Sequence, residues 1–216
     1  MLTPERKWWY RQRGNMAVEA LRRNRFAAAF FETREQAIDH ILELVPSGSV
    51  IGFGDSLTLQ EIRLYEALEK KGCKLVNPPS RQDHLPADEK RELRFGCFAS
   101  DVYVCSANAI TLDGRLVNID GIGNRVAFTI YGPPKVIFVA GANKLTESLD
   151  AAISRIKGEA APTHAWRDGY KVPCGETGVC TDCRGPNRMC RVTVIHEGPT
   201  KQTETHVLII GEDLGL

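Results

Sequence analysis

TLDGRLVNIDGIGNRVAFTIYGPPKVIFVAGANK, residues 111–144, packs a hairpin, a short helix and a buried strand into one stretch. Asp113-Gly114 lies between two apolar runs, the pattern of a tight hairpin with both central residues at positive φ. Asp120, Gly121, Gly123, Asn124 and Arg125 then precede a short apolar helix, Val126 to Ile130, which Gly132-Pro133-Pro134 ends. KVIFVAG, 135–141, shows no polar alternation and reads as a strand covered on both faces. The polar residues of the stretch, among them Asn118, Asp120, Asn124, Arg125, Asn143 and Lys144, therefore collect at the ends of elements. Turns favour Asn, Asp and Gly on structural grounds alone. That leaves the cations Arg125 and Lys144 as the candidates for holding a carboxylate or phosphate.

Working outward, strand and helix patterns continue to alternate. SVIGF (49–53) is a short strand that runs through a glycine turn into the helical pattern LTLQEIRLYEALEKKG (57–72). Thr58 and Glu61 are spaced there as a capping box, and Gly72 stands at the end. CKLV (73–76) and DVYVC (101–105) are further strands, separated by a charged helix around 87–94. Downstream, residues 145–156 have helical spacing, and RVTVIHEG and THVLIIG read as two antiparallel strands joined by a polar loop. The fold class that follows is α/β, a mainly parallel sheet flanked by helices. The expected organisation is one domain: a helical arm over 1–45, an α/β core over 46–160, a cysteine-rich insert over 174–190, and closing strands over 191–216.

Within the arm, Ala17 to Phe31 is alanine-rich, and residues 33–45 repeat apolar positions at helical spacing. Seven basic residues between 6 and 25 face only Glu19, which reads as a solvated face. Trp8, Trp9 and Tyr10 dock the arm onto the body or onto a second subunit, so a homodimer is one expected state.

IGFGDSLT, 51–58, passes from a strand to a helix start through Gly54 and Ser56. Such turns let backbone N–H groups approach an anion. The third glycine of a dinucleotide fingerprint and the Gly-Lys-Ser/Thr of a Walker loop are both missing. Open parallel sheets bind ligands beyond the carboxyl ends of their strands. Gly54, Ser56, Asn124, Arg125 and Lys144 are accordingly the expected pocket for a small anionic ligand.

The charge balance, 28 basic against 27 acidic residues, argues against a general nucleic-acid binder. No apolar run reaches the length of a membrane span, and the N-terminus has no apolar stretch behind its charges. Seven cysteines without an export signal point to a reducing cytoplasm, where a cysteine cluster is more often a metal site than a disulfide framework. The five histidines form no triad or metal pattern; His84, in RQDHLP, reads as a surface residue of a loop. Cys105, at a strand end, reads as a buried structural thiol.

PCGETGVCTDCRGPNRMC, 173–190, sets Cys174, Cys180, Cys183 and Cys190 in a spacing that suits either zinc or a [4Fe–4S] cluster. Neither the paired knuckles of a zinc ribbon nor the ferredoxin run is present. Glycines 175, 178 and 185 would let the chain wrap closely around a cluster, and Arg184, Arg188 and Arg191 would offset thiolate charge. These features favour the iron–sulfur cluster, with zinc as the alternative.

The stretch 111–144, with GFGDSLTLQEI and DVYVCSANAIT upstream in the same order, closely resembles the LUD domain, the lactate-utilisation family. The resemblance covers most of residues 15–160. It implies a fold similar to the superfamily of glucosamine-phosphate deaminases, ribose-phosphate isomerases and CoA transferases. It further implies a part in oxidising lactate or a related hydroxy acid alongside iron–sulfur, electron-transferring partner proteins. The cysteine insert departs from the small-protein branch of the family and resembles its cysteine-bearing members. CoA transferases of this fold use a glutamate nucleophile, and SANAITLDG offers none. A small-anion, CoA-ester or sugar-phosphate enzyme with a structural zinc knot is the alternative expectation.

Overall fold

A computed structural model of the chain describes residues 2–77 and 85–216, and the structural statements below concern those residues. His84 lies outside them. The first half runs α1 (Pro4–Arg23), β1 (Ala27–Phe31), α2 (Arg34–Leu44), β2 (Val50–Phe53), α3 (Leu57–Glu61), α4 (Leu64–Lys70), β3 (Lys74–Val76), α5 (Ala87–Phe95) and β4 (Val102–Cys105). The second half adds β5 (Ala109–Thr111), β6 (Leu116–Asp120), α6 (Asn124–Ile130), β7 (Lys135–Gly141), β8 (Leu145–Thr146) and α7 (Leu149–Arg155). α8 (Ala161–Arg167), α9 (Pro173–Thr177), β9 (Val192–His196) and β10 (Glu204–Ile210) complete it.

Six strands form one wholly parallel sheet in the order β1-β10-β7-β4-β2-β3. Period-2 alternation divides its side chains between two cores. Tyr103, Cys105, Val136, Phe138, Val207 and Ile209 face α1 and α6, with Tyr10, Leu21 and Phe128 packed among them. Ile51, Phe53, Val104, Ile137, Val139 and Ile210 face α2, α3 and α4. Burial on both faces explains why β7 reads as an unbroken apolar run. A second sheet, β8-β5-β6-β9, lies against the first core through Ile110 and Leu116, and its other face carries α7 through Ala109, Val117, Ala152 and Ile156. No helix is long and apolar enough to cross a membrane.

Several local expectations are corrected. Residues 27–31 are not part of a helical arm but the edge strand β1, paired in parallel with β10. α1 stops at Arg23, Arg25 takes a left-handed φ of 70°, and ladder hydrogen bonds to β10 outweigh the helix propensity of Ala27–Ala29. The helical pattern 57–72 is broken at Arg63, whose φ is 57°. Its cap is Ser56, which accepts from the Leu59 N–H, rather than a Thr58–Glu61 box. In the 111–116 hairpin only Gly114 is left-handed, at φ 89°. Its N–H donates to the Thr111 carbonyl at 2.9 Å while the Thr111 N–H donates to Arg115, a turn closed by a left-handed glycine.

The helix expected from residue 145 starts at Leu149, capped by Ser148, because 145–146 pair with β5. The two closing strands do not pair with each other. β10, apolar on both faces, takes a central place between β1 and β7, whereas β9, largely exposed, pairs antiparallel with β6.

The seat of α1 on β1 depends on one missing side chain. A Cβ at Gly14 would sit 2.2 Å from the Phe30 ring. Gly14→Val is therefore expected to destabilise the fold by about 1–3 kcal/mol through overpacking, read as a lowered urea midpoint with an unchanged denaturant slope.

Candidate functional site

β2 leads to β3 on one side while β4 lies on its other side, so the strand order reverses between β2 and β4. At such a reversal the connections diverge and leave a crevice at the strands' carboxyl ends. A cleft of about 740 Å³ lies there. The carboxyl end of β2 supplies Ser56 and Thr58, that of β4 supplies Ser106, and that of β7 supplies Lys144. Asn124 and Arg125, at the start of α6, line the same cleft, so four of the five expected ligand residues share it.

Gly54 lies beneath that surface. A Cβ there would stand 2.7 Å from the Tyr103 hydroxyl and 3.1 Å from Arg125 Cγ, and its N–H donates to the Val104 carbonyl. The glycine is thus a close-packing position rather than an anion donor. Ser56 spends its hydroxyl capping the five-residue α3, and Asp55 puts a carboxylate beside it. The glycine turn is a structural corner of the cleft.

Lys144 is almost wholly buried. Its Nζ donates to Thr58 Oγ1 at 2.9 Å and to Ser106 Oγ at 3.1 Å. Burial, followed by the nearby Arg155 and Arg125 guanidiniums, pulls its pKa down to about 7, with Glu61 opposing. Among the described residues it makes no salt bridge. A cation expected to bind anions is thus an amine close to neutrality at physiological pH.

Arg125 has a different role from the one its charge suggests. Its Nε donates to Asp120 Oδ2 at 3.1 Å, and its two terminal nitrogens donate to Asn118 Oδ1, Asn108 Oδ1 and the carbonyls of Ser106 and Ile119. All five N–H groups have partners. Asp120 completes the network by accepting from the Ile122 and Gly123 N–H groups through Oδ1. Arg125 therefore holds β6, the β4–β5 turn and the start of α6 in register around the cleft. Asn124 lines the cleft with no side-chain hydrogen bond among the described residues.

Among the described residues the lining carries seven Lys and Arg side chains against three Asp carboxylates, which biases the space toward an anion. Of these, Arg167 is engaged by Asp168 at 2.7 Å, while Arg94 and Lys171 form no ion pair among the described residues. Ser106, Thr58 and Asn108 are cleft-lining positions that the sequence did not assign to the pocket. Ser106 was the legible one, since it directly follows the strand 102–105 at its carboxyl end.

The family model for the LUD domain matches residues 14–210. The chain belongs to that family. Membership supports a role related to lactate utilisation. The crystal structure of a DUF162 family protein from Deinococcus radiodurans is similar in fold, with a TM-score of 0.54 at 11% identity over 93% of this chain and 97% of that one. A translation initiation factor eIF-2B from Pyrococcus horikoshii OT3 gives a TM-score of 0.33 at 18% identity, over 55% of this chain and 49% of that one. No curated protein matches.

In this LUD protein Cys174, Cys180, Cys183 and Cys190 line one small cavity of about 20 Å³. All four are free and half-buried. Burial, and then the neighbouring thiols, push the Cys174 and Cys190 thiols above their ordinary value; Arg188 opposes this at Cys190. The Arg188 guanidinium donates to the carbonyls of Cys183 and Cys190, both at 2.6 Å, and so folds the loop around itself. Arg191 donates to the carbonyls of Pro186 and Arg188. Among the described residues no three His, Cys, Asp or Glu side chains converge on one metal-ion position, so the loop contributes a shared cavity rather than a finished coordination sphere. Arg188, Met189 and Cys190 belong to the walls of both this cavity and the cleft. Cys105 and Cys97 are buried elsewhere, with thiols pushed up to about 12 and about 11, and are inert.

The Lys144 shift has a consequence for stability. Below pH 7 the folded protein must hold a buried ammonium, whereas between about 7 and the ordinary lysine value the folded state sheds a proton that the unfolded state keeps. The penalty is thus full at low pH and fades as pH rises. Lys144→Met should raise stability at pH 6 by on the order of a few kcal/mol, with the gain shrinking toward pH 10, as read from chemical denaturation across that range.

Proposed function

We propose that this LUD protein binds a small carboxylic acid of lactate or related hydroxy-acid metabolism in the cleft, and that its four-cysteine loop holds a [4Fe–4S] cluster beside it. It acts with iron–sulfur partner proteins rather than alone. The observation that carries this reading is the shared wall: Arg188, Met189 and Cys190 border the cysteine cavity on one side and the basic cleft on the other.

The donor set fits such a centre. Burial, and then the neighbouring thiols, raise the Cys174 and Cys190 pKa values, and a bound metal would offset the cost of ionising them together. Cys174, Cys180, Cys183 and Cys190 would hold the centre, which when bound supplies one-electron transfer. The chain's own residues do the rest. The excess of basic groups attracts the acid, Arg125 keeps the cleft wall in place, and the Arg188 guanidinium sits where it offsets thiolate charge. Oxidising a hydroxy acid removes two electrons, and no dinucleotide fingerprint is present to accept a hydride. A partner therefore takes the electrons onward. Trp8, which is exposed, and Trp9, stacked between Arg6 and Arg13 at 4.6 and 4.5 Å, offer the aromatic–arginine surface for it on α1.

One observation favours a second reading. The cysteine cavity holds little more than one water-sized sphere, room for a single ion but not for a cubane unless the thiols move apart. The second reading is a small-anion, CoA-ester or sugar-phosphate enzyme with a structural zinc site.

Anaerobic purification followed by iron, sulfide and zinc analysis separates the two. Iron and sulfide in equal amounts with visible absorbance, lost together in the Cys180→Ser/Cys183→Ser variant, is the expected result. Stoichiometric zinc without iron would establish the second reading. Calorimetry should show L-lactate or pyruvate binding at millimolar concentration, and turnover with an artificial acceptor should be near zero for the isolated chain and rise when its partners are added.

A further inference from the structure

Binding an acid leaves the amine in the cleft wall without a task. We propose that Lys144 is an imine-forming nucleophile, its Nζ condensing with the carbonyl carbon of a small 2-oxo acid between the hydroxyls of Thr58 and Ser106. The choice of an acid as ligand rests on the reading above; the nucleophile rests on separate observations.

The first is geometric. Nζ lies 2.9 Å from Thr58 Oγ1 and 3.1 Å from Ser106 Oγ, and all three side chains line the cleft. They come from the carboxyl ends of three adjacent parallel strands, β2, β4 and β7. The second is that, among the described residues, a buried lysine has no counter-ion. Lysines that serve structure alone are buried with a carboxylate partner, because an unpaired ammonium is costly to desolvate. Here the acid that acts on it electrostatically among the described residues is Glu61, whose Oε2 instead accepts from the Gly215 N–H at 2.7 Å. The third is enclosure. A Cβ at Gly215 would stand 2.4 Å from Thr58 Oγ1 and 3.1 Å from Nζ, so the backbone at Gly215 packs directly on the amine and keeps it almost wholly buried.

The charged groups around Nζ are Arg155 and Arg125, which oppose its protonation, and Glu61, which favours it. With burial they leave the amine about half neutral at pH 7, against on the order of one in a thousand for an ordinary lysine. Desolvation beside other cations is an established means of activating a lysine toward carbonyls.

The chemistry balances without an oxidant. The Nζ lone pair forms a bond to C2 of the oxo acid as the C=O π bond opens onto oxygen. One amine proton passes to that oxygen through the Ser106 or Thr58 hydroxyl, giving the carbinolamine. A second proton lets the oxygen leave as water, and the nitrogen closes the C=N bond, so one amine and one oxo acid yield one imine and one water. The protonated imine withdraws electrons from C3, so the C3 protons exchange with solvent. Water then returns the oxo acid and the free amine.

The test uses the full-length protein with pyruvate as probe. Borohydride added to the mixture reduces any imine to a stable amine, which peptide mass mapping locates. The expected adduct is on Lys144, in roughly tenfold or greater excess over any surface lysine at pH 7. Its rate of formation should reach half its plateau near pH 7. In deuterated water the protein should also catalyse deuterium uptake at the pyruvate methyl group, and Lys144→Met should abolish both signals while retaining its circular dichroism. The wild-type map decides the matter even if that variant does not fold. Pyruvate binding by calorimetry without a Lys144 adduct overturns the imine and leaves the acid-binding reading intact. Lack of both binding and adduct overturns both. Labelling of Ser106 by a fluorophosphonate with no borohydride adduct overturns the assignment of Lys144 as the nucleophile.

Discussion

The guanidinium of Arg125 is the point at which the two sheets of the protein meet chemically. Its five donors reach a carboxylate and a carbonyl of β6, the Asn118 side chain of the same strand, and the Ser106 and Asn108 groups that follow β4. A charged side chain that is 16% exposed is tolerable only because each donor is satisfied. The constraint extends outward. Gly54 must lack a side chain to leave room for the arginine stem, and Asp120 must accept two N–H groups to turn the chain into α6. Ser106, anchored on the same network through its carbonyl, is thereby set opposite Lys144.

The cleft combines groups with opposed electrostatic characters. Its rim and the cysteine loop are rich in arginine and lysine, which gives the space a positive potential. Its inner wall holds an amine whose charge is suppressed by burial and by the nearby Arg155 and Arg125 guanidiniums. Positive neighbours thus help keep the amine unprotonated. The cysteine loop adds a third element, since burial and then the neighbouring thiols push Cys174 and Cys190 up while Arg188 pulls Cys190 in the other direction. A centre bound there would lie one residue's thickness from the cleft, because Cys190 borders both.

Much of this was legible in the chain. β7 could be recognised as central because six consecutive apolar or small residues, Val136 to Gly141, without alternation suit only a strand covered twice. The gathering of Ser56, Asn124, Arg125 and Lys144 followed from the parallel-sheet reading, since polar residues after successive strands must share one edge. What misled was local propensity. Ala27–Ala29 favour a helix by themselves, yet lie in β1 because β10 offers a full ladder of partners. β9 and β10 look like a hairpin when read in sequence, but their destinations differ with the number of faces each can bury.

By itself the amino-acid sequence determined the α/β class, most but not all of the strands, the family and the four-cysteine spacing, because these rest on periodicity and on motifs that local chemistry imposes. Tertiary structure decided the roles. Whether Arg125 greets a ligand or clamps a wall depends on acceptors from residues 106 to 120 converging on it, and no local pattern reveals that all five donors are taken. Whether Lys144 is a cation or an amine depends on burial and on Arg155 and Arg125 approaching it in space. Charge state in a folded protein is set by desolvation and by neighbours that only folding brings near.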